Sequence, residues 1–202
     1  IPFRSADAGL DMVTFINEFR TTYPEHAQRD VVLASESYGG HYVPAWTAAV
    51  MDYNQAAAGD PIPLVGIVIG NGLVNETLQN GKQFAAWAEK EEILPEGSNP
   101  RNEATTRVLM EEYLGYTPNY YDYRVVSQTG CGAYGYDYKT WADWLLQDDV
   151  TAALNVCGSA GTSAFGKCAG GCVTLPGFDS GDTFDYSGAL ERALEAGIPV
   201  SL

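Results

Sequence analysis

The segment whose residue types and spacing could do chemistry is Ser35-Glu36-Ser37-Tyr38-Gly39. A serine hydroxyl is a weak nucleophile unless a base takes its proton. It also has to be presented. A sharp strand-to-helix turn does this by lifting the hydroxyl above a sheet, and the backbone then folds so closely that small neighbours are required. The helix that follows aims its N-terminal N–H groups at the reaction centre, where they can stabilise a developing oxyanion. Ser37 is therefore the candidate nucleophile. Ser35 departs from the usual G-x-S-x-G pattern, being small but standing where the pattern has its first glycine.

Such a turn needs a strand before it and a helix after it. Val31-Val32-Leu33-Ala34 is a short apolar, β-branched run that suits a buried parallel strand. Tyr38 to Tyr53 predicts a helix, with Pro44 in its first two turns. Upstream, Ala6 to Arg20 sets Leu10, Val13, Phe15, Ile16 and Phe19 at helical spacings, an amphipathic helix closed by Pro24. Leu64 to Ile69 predicts a second buried strand, ending at Gly70-Asn71-Gly72, which lacks the further spacing of a dinucleotide or phosphate-loop fingerprint. Helix, strand, helix, strand implies an α/β fold with a parallel sheet.

The pattern changes from about Asn75. Helices are expected over Gln83 to Lys90, Asn102 to Leu114 and Trp141 to Leu154, with irregular stretches from Gly115 to Tyr138 and from Gly158 to Gly177. Tyr186 to Ala196 predicts a last helix that Gly197 terminates, and Ile198-Pro199-Val200-Ser201-Leu202 opens a strand and stops, so the sheet is expected to be partial. This divides the chain into a core at 1–75, a cap or insertion at 76–181 and a return to the core at 182–202. The tyrosines between Tyr113 and Tyr138 could line an apolar pocket, but loop packing is the simpler role. Asp148-Asp149 and Glu89-Lys90-Glu91-Glu92 read as solvated helix faces.

Composition narrows the partners. The 202 residues are 46% hydrophobic and carry a net charge of −15. That is enough apolar material for a sizeable core, and the acidity repels nucleic acid and anionic membranes, so neither is expected as a partner. No stretch approaches the roughly 18 consecutive apolar residues of a membrane span. The start, Ile1-Pro2-Phe3-Arg4, has no initiator Met and no signal-peptide pattern, and is expected to lie inside a longer precursor. Cys131, Cys157, Cys168 and Cys172 allow three pairings. Zinc is the competing reading, but the spacings of 26, 11 and 4 form no paired C-x-x-C knuckles and no His lies nearby, so disulfides are expected. Asn75-Glu76-Thr77 is an N-glycosylation acceptor sequence. Together these point to a secreted or vacuolar (lysosomal) protein.

The longer string Glu36-Ser37-Tyr38-Gly39-Gly40-His41-Tyr42-Val43-Pro44 closely resembles G-E-S-Y-x-G-x-Y-x-P, the signature around the active serine of serine carboxypeptidases. Other segments are similar in family order. Phe15, Phe19 and Tyr23-Pro24 resemble the approach to the elbow, Ile69-Gly70-Asn71-Gly72-Leu73 the family's I-G-N-G, and Tyr121-Asp122-Tyr123-Arg124 its Y-D-x-R. Trp144-Leu145-Leu146 with Asp149-Val150 and Ala152-Ala153-Leu154 resembles a later helix. Gly181-Asp182 and Leu194 to Val200 resemble the approach to the strand before the catalytic Asp.

The resemblance implies an α/β-hydrolase fold with a helical, disulfide-bearing insertion. It makes Ser37 the nucleophile, gives Tyr38 an oxyanion-hole N–H, and places Glu36 in a carboxyl network that grips the C-terminal carboxylate of a peptide substrate, with no metal or cofactor. Two carboxyls in contact cannot both ionise cheaply, which implies an acidic working pH. The fold's triad runs Ser, Asp, His along the chain, yet the two histidines are His26 and His41. His41 is expected to pack or cap within the signature helix, and His26 to be exposed in a polar turn. The family's Asp and His follow the strand at Ile198, and its second oxyanion N–H lies in an upstream Asn-Gly-Gly-Pro-Gly segment. The 202 residues contain none of these, so the chain alone is expected to be inactive, with the remaining part of its own precursor, as a separate chain, a possible partner. A non-catalytic binding or structural component and an acyltransferase on the same scaffold are the alternatives.

Overall fold

The computed structural model describes residues 4–119, 121–127, 143–145, 147–154 and 185–202. Contacts sort the chain into two compact units, Ile1–Phe84 with Leu175–Leu202, and Ala85–Thr174. The stretch just after Asn75 is tied back to the first unit, for Gln79 accepts from the backbone N–H groups of Val74 and Asn75 and donates to Gly72 O.

The first unit contains α1 (Ser5–Thr22), a 3₁₀ turn (Pro24–His26), β1 (Val31–Glu36), α2 (Gly39–Ala56), β2 (Leu64–Gly70), α3 (Glu76–Gln79) and the start of α4 (Lys82–Lys90). Its last elements, here α7 (Ser187–Glu195) and β3 (Val200–Ser201), return to the sheet. The strands lie in the order β1-β2-β3, all parallel. Leu33 sits opposite Ile67, Ser35 opposite Ile69, and Ile67 opposite Val200.

One face of this sheet holds the core, where Leu33, Ile67 and Ile69 meet Val43 of α2 and Leu190 and Ala193 of α7. The alternate residues Val32, Val65 and Val68 are 52, 42 and 45% exposed. β1 thus alternates, and β2 alternates over Ile67 to Ile69 after a register irregularity opposite Val31 and Val32, where the continuous apolar runs predict burial on both faces. The helix α1 differs in a similar way. Gly9, Val13 and Ile16 are buried, whereas Leu10, Phe15 and Phe19 are 69, 61 and 41% exposed. Gly9 decides which stripe faces inward, since a methyl there would come 2.9 Å from Ala49 Cβ and 3.0 Å from Ala45 O. Only glycine lets α1 approach α2 so closely, and Val13 and Ile16 then pack with Val50 and Ile62.

Loop chemistry closes the elements. α2 ends at Ala57 in the left-handed region, and the Asn54 side chain brackets Ile62 by donating to its carbonyl and accepting from its N–H, both at 2.8 Å. Gly197 takes φ 77° after α7, and Ile198 N–H reaches back to Ala193 O, which turns the chain into β3.

In the second unit, α5 (Glu103–Leu114) begins with a reciprocal cap between Asn102 and Thr105 and ends at Gly115, φ 76°. The single helix expected from Trp141 to Leu154 is interrupted, for Gln147 has extended backbone (ψ 141°) and α6 (Asp148–Ala153) starts after it. Two acidic residues in the first turn favour a new helix start there rather than a helix interior. Asn119 Oδ1 accepts from the N–H groups of Tyr121 and Asp122, and Asn119 N–H donates to Val125 O, so the Tyr-Asp-Tyr-Arg stretch folds as a tight loop. Tyr116 donates to Tyr123 O and Tyr123 meets Trp87 edge-on, which is loop packing. The four cysteines lie outside the described residues.

Arg124 donates through Nε and Nη2 to the Asp122 carboxylate, each at 2.8 Å. These bonds, with the Arg124 backbone N–H, lower the Asp122 pKa from 3.8 to about 2. A carboxyl depressed in the folded state adds stability above its unfolded pKa, and that contribution is lost as pH falls through about 2. In an NMR titration Asp122 is expected to protonate near 2, and in Arg124→Ala at a higher pH, part of the way back toward 3.8, because the backbone N–H of residue 124 remains as a donor. An Asp122 that titrates identically in both proteins would refute the pairing.

Candidate active site

Ser37 lies between the end of β1 and the start of α2, at φ 58°. A non-glycine residue in that region is strained by roughly 1–2 kcal/mol, so its surroundings must hold it there. Three backbone hydrogen bonds do so. Ser37 N–H donates to Gly70 O (2.9 Å), and Ser37 O accepts from Gly40 N–H (3.0 Å) and Leu73 N–H (3.0 Å). The end of β2 and the loop after it thus clamp the elbow from both sides.

Close approach explains the glycines. A methyl on Gly40 would come 2.5 Å from the Leu73 backbone, and one on Gly72 would meet Ile69 Cγ2 at 2.3 Å. Asn71, at φ 47°, turns the same loop. The Gly70-Asn71-Gly72-Leu73 segment therefore buttresses the nucleophile. Its spacing matches no ligand fingerprint, and the part it plays shows only once β1 and β2 are paired.

Gly39 answers a different neighbour. A methyl there would fall 2.0 Å from Ser35 Oγ and 2.3 Å from Ser35 Cβ. Ser35 thus fills the space beside Gly39, and its hydroxyl is buried without a hydrogen-bond partner among the described residues. Here the side chain gained at Ser35 is balanced by the one missing at Gly39.

Ser37 itself is half-exposed, and among the described residues its Oγ makes no hydrogen bond. Tyr38 is the N-cap of the 18-residue α2, so its backbone sits at the positive end of a long helix dipole. Glu36 is exposed at the end of β1, with its side chain beside Gly70. Asn75 is half-buried and caps α3, its Oδ1 accepting from Leu78 N–H at 3.0 Å.

Both histidines are occupied elsewhere. His41, 1% exposed, stacks on the Tyr38 ring (centroids 4.2 Å, 15° between planes) and meets Tyr186 at 5.1 Å. His26 is exposed and stacks on Phe19 at 6.1 Å. Among the described residues neither hydrogen-bonds Ser37, and no three His, Cys, Asp or Glu side chains are grouped to hold a metal.

A parallel sheet with helices on its core face is matched by solved structures. The chain aligns with a prohormone-processing carboxypeptidase, Kex1(delta)p from Saccharomyces cerevisiae, at a TM-score of 0.60 and 16% identity, over 92% of this chain and 46% of that one. The fold is that of the α/β-hydrolases. The serine carboxypeptidase family model matches residues 4–113, and the chain belongs to that family. The pheromone-processing carboxypeptidase kex1 of Penicillium rubens is 27% identical over 94% of this chain and 36% of its own length. Serine carboxypeptidase 3 of Oryza sativa subsp. japonica is 41% identical over 34% of this chain and 14% of its own length. The chain thus spans about a third of the kex1 relative and less than half of the solved structure.

The pairing of Ser35 with Gly39 can be measured. Gly39→Ala is expected to destabilise the protein by about 1–3 kcal/mol, as overpacking at a rigid site does. Adding Ser35→Gly should recover most of that loss, with a coupling on the order of 1 kcal/mol or more in the double-mutant cycle. Additive effects in urea unfolding would show that the two positions do not compete for the same space.

Proposed function

We propose that this chain carries the nucleophile of a serine-type carboxypeptidase and completes its triad with residues from outside these 202. The single observation that carries the reading is Ser37 at φ 58° between strand and helix, held by Gly70, Gly40 and Leu73. Ser37 Oγ bonds to the carbonyl carbon of the last peptide bond and gives its proton to a histidine base. The Tyr38 N–H, at the N-terminus of α2, stabilises the oxyanion. The C–N bond then breaks, and the protonated base hands its proton to the leaving amine of the C-terminal residue. Water hydrolyses the acyl-enzyme by the reverse use of the same base. Glu36 shares a proton with a second carboxyl to hold the substrate's terminal carboxylate, which favours acidic pH.

The base is neither His41 nor His26, since the first is packed between tyrosines and the second stacks on Phe19 away from Ser37. The open sheet face with Val32, Val65 and Val68 supports a larger assembled form, because parallel sheets are stable with both faces covered. We assign the missing strands and triad members to the rest of the same precursor, whether continuous with this chain or cleaved from it.

The test compares the complete precursor with the isolated chain, using blocked dipeptides and p-nitrophenyl esters from acidic to neutral pH, with Ser37→Ala as control. The precursor is expected to show Ser37-dependent turnover. The isolated chain should stay at background, since loss of a triad member costs on the order of 10⁴-fold. A precursor with no Ser37-dependent turnover would favour a non-catalytic role. Turnover by a preparation whose intact mass matches 202 residues would return His41 or His26 to consideration.

We place the protein in the secretory or vacuolar pathway, where Cys131, Cys157, Cys168 and Cys172 would be oxidised. Thiol titration of the denatured, unreduced protein should then find two free thiols or none. Four free thiols would remove this support for an oxidising compartment.

A further inference from the structure

We propose that Tyr186, acting through His41, is a positioning residue that keeps the Ser37–Tyr38 elbow in its strained shape. The consequence for catalysis rests on the reading of Ser37 and Tyr38 given above, while the mechanical part does not. The three backbone bonds of the elbow hold Ser37, and Tyr38, the N-cap of α2, accepts through its carbonyl from the His41 and Tyr42 N–H groups but makes no side-chain cap bond among the described residues. A residue next to a strained turn relaxes unless something fixes it.

Its ring is fixed by stacking. Tyr38 lies flat on His41 at 4.2 Å, and His41 meets Tyr186 at 5.1 Å and 58°. His41 and Tyr186 are 1 and 7% exposed, so the contacts are made out of water. His41 Nδ1 is buried without a hydrogen-bond partner among the described residues, and the packing of its ring against tyrosines on two sides is what this position offers in return.

Tyr186 is held in its turn. Its N–H donates to Val74 O at 2.9 Å, and the preceding Asp185 bridges to Asn75. Asp185 accepts from Ser187 Oγ and N–H, which hold its carboxyl below the ordinary range. The contacts form a closed circuit. Ser37 O is bonded to Leu73 N–H, the next residue Val74 to Tyr186, Tyr186 packs on His41, and His41 on Tyr38 beside Ser37. Removing the Tyr186 ring takes away the support behind His41, on which Tyr38 is stacked, while Tyr38 keeps its tilted contact with Tyr42 (5.1 Å) and the backbone bond from residue 186 to Val74 survives. Tyr38 adjoins the strained serine.

The experiment uses the complete precursor with Tyr186→Ala, Tyr186→Phe and, as a destabilised control, Ile16→Ala in the α1–α2 core. Amide exchange is followed at Ser37, Gly40 and Leu73, the donors of the elbow bonds, and at Val31, which donates to Pro63 O outside the circuit. In Tyr186→Ala the three elbow amides are expected to exchange about tenfold faster or more, with Val31 unchanged, as in a local opening. Tyr186→Phe keeps the ring and should behave as wild type, and Ile16→Ala should lower the melting temperature without singling out the elbow. With a Ser37-dependent substrate, Tyr186→Ala should lower kcat roughly 10- to 100-fold with little change in KM, the signature of a misplaced group that acts in the transition state.

Elbow amides that exchange as in wild type, or that merely follow Ile16→Ala, overturn the proposal. A selective exchange effect with wild-type kcat overturns its catalytic consequence and leaves the mechanical one. A selective exchange effect in a protein whose wild type has no Ser37-dependent turnover supports the positioning role and sinks the nucleophile reading instead.

Discussion

A serine held at φ 58° between a strand and a helix costs free energy that only its neighbours can offset, and much of the first unit is arranged around that residue. Ser37 takes one hydrogen bond to the end of β2 and two from Gly40 and Leu73, so the elbow exists only where β1 and β2 are in register and the loop after β2 folds back. Gly40 lacks a side chain because the Leu73 backbone crosses there, and Gly72 because the Ile69 side chain fills the space. Gly39 lacks one because Ser35 occupies the space. These glycines have two separate causes, a crossing backbone and a neighbouring side chain.

The same geometry governs the packing further out. α2 must start at the elbow, which fixes its line across the sheet, and the other helices fit to it. α1 comes close through Gly9, and α7 adds Leu190 and Ala193 to the cluster around Val43. The Arg192–Asp52 ion pair, 2.7 Å long and partly exposed at both ends, lies across α7 and α2. An exposed pair adds at most about 1 kcal/mol, so apolar burial decides this contact. The face bearing Val32, Val65 and Val68 has no such partner among the described residues.

Family membership and chemistry stand on different observations. The likeness to the yeast structure, at 16% identity, speaks for the fold, and the family model over residues 4–113 speaks for descent. Neither performs acyl transfer, because one fold hosts many reactions and a reaction belongs to a site. The site here has a presented serine and a helix terminus aimed at it. Its two histidines serve packing instead, His41 inside the aromatic stack and His26 on the surface.

Strong local signals were legible in the residues alone. Val31 to Ala34, the helix after Ser37 and the stop at Gly197 depend on periodicity and φ > 0, which act within a few residues. The position of Ser37 was legible for the same reason. The sequence could not say which stripe of α1 faces inward, since Leu10, Phe15 and Phe19 are as apolar as Val13 and Ile16, and the choice depends on the space beside Gly9. Nor could it say that β1 and β2 are covered on one face, that a helix breaks at Gln147, or that Leu73 binds Ser37. Tyr186 was invisible as a partner of His41 because more than 140 positions separate them and no periodicity links them. Only strand pairing and the Val74–Tyr186 bond bring them together. Short-range chemistry is written in neighbouring residues, whereas a contact between distant ones depends on where the whole chain has already placed both.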